Sequence, residues 1–128
     1  KLVAASPKIV HVMSDLEQGS FRRYVWTITN SPRLSQHPSH KNANIPITIE
    51  DLYYRVETQT TLPLPSTTGR SSLFLVKAEV CPLSHLWSNL EQRQILYDSI
   101  FSMSEAVLEY KNLQTIKTIL ADSYQKAS

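Results

Sequence analysis

Residues 52–60 read Leu52-Tyr53-Tyr54-Arg55-Val56-Glu57-Thr58-Gln59-Thr60, and residues 72–80 read Ser72-Leu73-Phe74-Leu75-Val76-Lys77-Ala78-Glu79-Val80. Both stretches are rich in β-branched and aromatic residues, which suit a pleated surface, so strands are expected over Tyr53 to Thr61 and Ser72 to Val80. The intervening Pro63-Leu64-Pro65-Ser66-Thr67-Thr68-Gly69-Arg70 has the residues of a long turn. An antiparallel hairpin is therefore expected, with Val56 and Phe74 buried at its centre against a later helix that contains Ile95 and Phe101.

Working outward, Phe21 to Thr29 alternates, with Tyr24, Trp26 and Ile28 on one side and Arg23, Val25 and Thr27 on the other. That period predicts a third strand. Between Pro7 and Gln18 the residues Ile9, Val10, Val12, Met13 and Leu16 follow helical spacing, with Pro7 suited to a first turn and Gly19 to a C-terminal cap. Ser31 to Asn44 shows neither period and reads as a loop. After Pro82, Leu86, Leu90, Ile95, Leu96, Ile100, Phe101 and Met103 recur at three- and four-residue steps, with a break near Asn89, and a last helix carries Ile116, Ile119, Leu120 and Tyr124 on one face. Strands flanked by helices predict an α+β fold in which helices cover one sheet face, and 128 residues suit one domain over 1–128.

Apolar residues make up 41% of the chain and charged residues 19%, enough to bury a core and too few charges for disorder. A net charge of +2, with Lys and Arg scattered among acids, asks for no nucleic acid. The longest apolar runs fall far short of the roughly 20 residues of a membrane helix, so no membrane span is expected. Lys1 to Pro7 lacks the apolar core of a signal peptide, and the single Cys81 forms no internal disulfide, which together predict a cytoplasmic, reducing setting. Zinc spacing, a Gly-rich phosphate loop and a G-x-S-x-G nucleophile motif are all missing from the sequence.

Four ordered blocks carry a family resemblance. Arg55-Val56-Glu57-Thr58-Gln59-Thr60 followed by Leu64-Pro65 resembles R-V-E-R-Q-T, four residues, then L-P. Phe74 to Leu83 falls in the register of F-T-I-R-T-Y-V-x-P-L, matching at Phe74, Val80, Pro82 and Leu83 and keeping the charge at Lys77. Arg23-Tyr24-Val25-Trp26 is similar to R-x-N-W, with Pro32 and Leu34 where a D-P-x-L segment would place them, and Tyr110-Lys111-Asn112 resembles Y-K-G. The chain thus resembles, over about residues 20 to 113, the C-terminal part of the haem-dependent oxidative N-demethylase family. The resemblance implies a PAS-like antiparallel sheet with flanking helices, haem as cofactor, a small amine as substrate, oxidoreductase (monooxygenase) chemistry at iron, and a reductase partner to supply electrons.

Departures from the pattern bear on that function. Thr58 stands where the family has a second Arg, Val25 where it has Asn, and Lys77 where it has Arg, which removes a planar two-pronged donor. Lys1 to Ala5 reads K-L-V-A-A like a family segment, yet the long stretch expected next, with an I-H-x-P-V-P motif suited to the haem's histidine, does not follow it. A shortened domain is implied, and a degenerate ligand-binding or protein-interaction module without catalysis is the alternative function.

Arg55, Glu57 and Gln59 lie two residues apart, so their side chains leave one face of the strand as a polar row. If that face lines a pocket, the resemblance implies Glu57 as the catalytic carboxylate that holds a substrate ammonium, and Arg55, Gln59, Lys77 and Arg23 as the groups around haem, Arg55 facing a propionate or Glu57. The competing reading is a solvated face with Tyr54, Val56 and Thr58 packed inward. The metal ligand stays unassigned among His11, His37, His40 and His85, with Cys81 as a possible thiolate or simply a small, partly buried residue. Tyr110-Lys111 reads either as a pocket feature or as a helix end whose Lys complements the dipole. Trp26 and Trp87 read as core aromatics.

Overall fold

The computed structural model describes residues 8, 10–35, 37, 45–65 and 71–127. Strands β1 (Phe21–Thr29), β2 (Tyr53–Leu64) and β3 (Ser71–Pro82) form an antiparallel sheet in the order β1-β2-β3. Helices α1 (Leu83–Trp87), α2 (Leu90–Phe101), α3 (Glu105–Lys111) and α4 (Gln114–Ala127) follow. This is the α+β arrangement the patterning predicts.

Local chemistry sets the element limits. The helix expected from Pro7 to Gln18 is split: residues 10–13 are helical, and a 3₁₀ turn over Leu16–Gln18 starts anew where the Asp15 carboxylate accepts from the Glu17 amide at 3.0 Å. A short polar side chain that captures a nearby amide competes with helix continuation. Gly19 then ends the turn at φ 70°, a value that favours glycine; Pro7 lies outside the described residues. Pro63 and Leu64 extend β2 into the stretch expected to be turn, since the fixed φ of proline suits extended backbone.

The break near Asn89 is a capping device, its side-chain oxygen accepting from the Gln92 amide at 3.0 Å to start α2. Helix α3 ends at Asn112, whose φ of 54° is left-handed, with the Leu113 amide donating back to the Leu108 carbonyl at 2.8 Å. The Gly of Y-K-G is thus replaced by the other residue that tolerates this conformation.

The chain divides into two compact units. One comprises Trp26–Val56 and Glu79–Ser128 and holds the core: Ile28, Ile49, Leu52, Leu83, Trp87, Leu96, Ile100, Leu108, Leu113, Ile116, Ile119 and Leu120 are all buried. The expected face of α4 is therefore the one that packs. Trp26 and Tyr54, with ring centroids 5.9 Å apart, pack against this cluster from the sheet, and the Leu83 amide donates to the Leu52 carbonyl where β3 passes into α1. Tyr97 stacks on Phe101 at 4.0 Å and lies 4.3 Å from Tyr124, whose hydroxyl donates to Gln94.

The other unit, Lys1–Val25 and Glu57–Ala78, carries the remaining parts of the three strands. Here two expectations are corrected. Phe74 is 47% exposed, and Leu73, Leu75 and Val76 are equally open, so the hairpin's apolar run is not buried. In the first unit, Leu90 and Ile95 also point to solvent while Leu96 and Ile100 take the core positions of α2. The apolar period locates a helix but does not settle which edge of its apolar stripe packs: Leu96 lies one turn from Ile100 on the buried face, and Ile95, about 100° round from Leu96, falls outside it.

Candidate functional site

Neighbouring strands β1 and β2 bring three polar side chains into one chain of hydrogen bonds. Arg23 Nε donates to Gln59 Oε1 at 2.6 Å, and Gln59 Nε2 donates to Glu57 Oε2 at 2.8 Å. The amide's orientation is fixed from both ends, its oxygen toward a cation and its nitrogen toward an anion, an arrangement in which each bond polarises the next. Glu57 and Gln59 are half-buried and Arg23 is exposed. A carboxylate held in one orientation accepts further hydrogen bonds from an ammonium at little ordering cost.

Arg55 behaves differently from the rest of the expected row. It is only 7% exposed, and its Nη1 donates to the Leu34 carbonyl at 2.8 Å, tying β2 to the loop that follows β1. The solvated-face reading is therefore wrong for this residue. Lys77 is exposed on β3. Of the histidines, His11, His37 and His85 are exposed and His40 lies outside the described residues. Cys81 is half-buried, as expected of a small residue at a strand end. Burial, and secondarily the neighbouring Cys81, push the Tyr54 phenol above its ordinary value of 10.0.

Lys111 was readable as a helix end, and it does occupy the last turn of α3. Its ammonium also donates to the Trp26 carbonyl at 2.9 Å and sits 5.1 Å from the centre of the Trp26 ring, a cation–π contact. The signal for this pairing was the joint presence of the R-x-N-W-like and Y-K-G-like blocks. Tyr110, by contrast, is 82% exposed.

A cleft of about 220 Å³ is bordered by Pro32, Ile45, Pro46, Glu50, Asp51 and Tyr53. It is smaller than the roughly 300–1,000 Å³ of ordinary cofactor and drug-sized sites, and two carboxylates border it. It does not suit a porphyrin dianion. Three of the histidines are exposed and Arg55 Nη1 is bound to the Leu34 carbonyl, so this cleft and these side chains do not make an enclosed haem site. Among the described residues no cluster of three or more His, Cys, Asp or Glu could hold another metal ion, and no helix is long and apolar enough to cross a membrane.

Sequence reasoning missed Asp51, whose Oδ2 accepts from the Ile47 and Thr48 amides at 3.0 Å each and from the Thr48 hydroxyl at 3.2 Å. The Ile47 bond, then that of Thr48, hold its carboxyl below the ordinary 3.8. A carboxylate with a lowered folded pKa contributes stability that is present above the unfolded pKa and lost as pH falls through the folded one. Melting temperature should therefore fall more in the wild-type chain than in Asp51→Asn between about pH 6 and about pH 2. Parallel curves for the two would remove Asp51 from the acid response.

A model of the family described as haem-dependent oxidative N-demethylase, alpha subunit-like, matches residues 6–121. No curated protein matches the chain closely. Because the family match takes in nearly the whole sequence, including the Arg23, Arg55, Glu57 and Gln59 positions and the Lys111–Trp26 pair, the chain belongs to the haem-dependent oxidative N-demethylase, alpha-subunit-like family.

Proposed function

We propose that this chain is an α-subunit-like component for oxidative N-demethylation of a small amine, in which Glu57 holds the substrate's ammonium and Gln59 and Arg23 keep that carboxylate oriented. The hydrogen-bonded chain from Arg23 through Gln59 to Glu57 carries this reading. Haem would supply oxygen activation in the family's chemistry, and a reductase partner would supply electrons, since the sequence has no motif for nicotinamide or flavin. Arg55, expected beside the cofactor, is instead bound to the Leu34 carbonyl, and Lys77 is exposed on β3.

The test is titration of the purified chain with dimethylammonium, followed by NMR shifts of the β2 amides. Saturable binding is expected, weakened at least about tenfold in Glu57→Gln, in line with loss of a charge-assisted hydrogen bond. Equal binding by both forms would sink the assignment. Haem added to the same preparations should give a broad Soret band that is insensitive to His11→Ala, His37→Ala, His40→Ala and His85→Ala. A sharp stoichiometric band lost in one of them would place the cofactor in this chain. The exposed apolar run of β3 favours a second reading, an interaction module without catalysis.

A further inference from the structure

Among the described residues, strand β3 has β2 on one side and no strand on the other. Its outer row of backbone donors and acceptors is a template for another strand. Protein edges are usually blunted by proline, by bulges or by dense charge. From Ser71 to Cys81 there is neither proline nor glycine, and Leu73 to Val76 are 43–48% exposed on both faces of the strand. Phe74-Leu75-Val76 and Val80-Cys81, on either side of the charged residues, have the β-branched, aromatic and apolar character that favours strand pairing.

We infer that β3 is a docking edge for a second copy of this chain, paired antiparallel about a two-fold axis that passes through Ala78 perpendicular to the sheet. Charge complementarity selects both the partner and the register. An axis at Ala78 sets Lys77 opposite the partner's Glu79, Glu79 opposite the partner's Lys77, and Val76 opposite the partner's Val80. An axis at Lys77 or at Glu79 sets like charges face to face, and an axis at Val76 sets both charges against leucines. Only an even shift keeps matching faces together, because side chains alternate along a strand. The strand is thus complementary to itself in one register, as an isologous interface requires. Lys77 and Glu79 each already have an interaction within their own chain, and the cross-strand pair adds to it. This inference is independent of the amine reading, since neither Glu57 nor a ligand takes part.

The experiment is sedimentation equilibrium on the full 128-residue chain, with circular dichroism as the folding control. Wild type should show a monomer–dimer equilibrium that weakens as salt is raised. Lys77→Glu and Glu79→Lys should each raise the dimer dissociation constant at least about tenfold, because two opposite-charge pairs become two like-charge pairs. Mixing the two variants should restore association to within about threefold of wild type, since every facing pair again joins a carboxylate and an ammonium. A wild-type chain that stays monomeric at all concentrations would overturn the inference and leave the edge to a different protein. So would a dimer indifferent to salt and to both substitutions, or folded variants whose mixture fails to associate.

Discussion

Trp87→Ala is expected to cost about 3 to 5 kcal/mol of unfolding free energy, the range for removing a core aromatic, whereas Phe74→Ala should cost under about 1 kcal/mol. Trp87 closes the five-residue helix α1, is buried in the core cluster, and meets the edge of Tyr124 with ring centroids 6.4 Å apart. A helix this short has no stability of its own, so the indole's contacts hold it in place. The truncation would leave a cavity among Trp87's neighbours that the surrounding helices fill only in part. Phe74 has no such enclosure, with nearly half its surface in water. Urea unfolding of both variants at a protein concentration low enough to keep the chain monomeric makes the comparison. A larger loss at Phe74 than at Trp87 would reverse the assignment of the core.

The contrast between these two aromatics shows which parts of the fold were legible. Period alone placed β1 at its observed limits, found the Asn89 break, and chose Ile116, Ile119 and Leu120 as the packed face of α4. Each of those is decided within a few residues by spacing or by one capping side chain. What covers a strand is decided elsewhere in the chain. The consecutive apolar residues Leu73, Phe74, Leu75 and Val76 carry no two-residue period, and such a run reads as a strand buried on both faces. Nothing within β3 reveals that both faces are open. The same limit applied to the polar row: a two-residue period put Arg55, Glu57 and Gln59 on one side of β2, but could not foresee that Gln59 would reach across to Arg23, or that Arg55 would turn to the Leu34 carbonyl.

Arg55 is therefore expected to act on stability first. Arg55→Met keeps the length of the stem and removes the guanidinium, leaving the Leu34 carbonyl without the donor it has at 2.8 Å. Arg55 is itself buried, and a hydrogen bond made by a charged group contributes about 1.5 to 3 kcal/mol, more than the tenths expected of a solvated strand residue. Arg55→Lys should recover only part of this, because an ammonium lacks the planar fork that lets one guanidinium serve more than one acceptor. The loop that follows β1 should loosen as well, since the Ser31 amide's bond to Thr29 and the Arg33 amide's bond to Ser31, both 3.3 Å, are the weaker local ties there. Faster amide exchange over Ser31 to Ser35 in Arg55→Met would report that loosening directly. Dimethylammonium affinity, measured in the same variant, separates this role from the one given to Glu57: the structural tie predicts a clear loss of stability with little change in affinity. A variant that is as stable as wild type but has lost the ammonium would show instead that Arg55 serves the ligand, and that its bond to Leu34 is incidental.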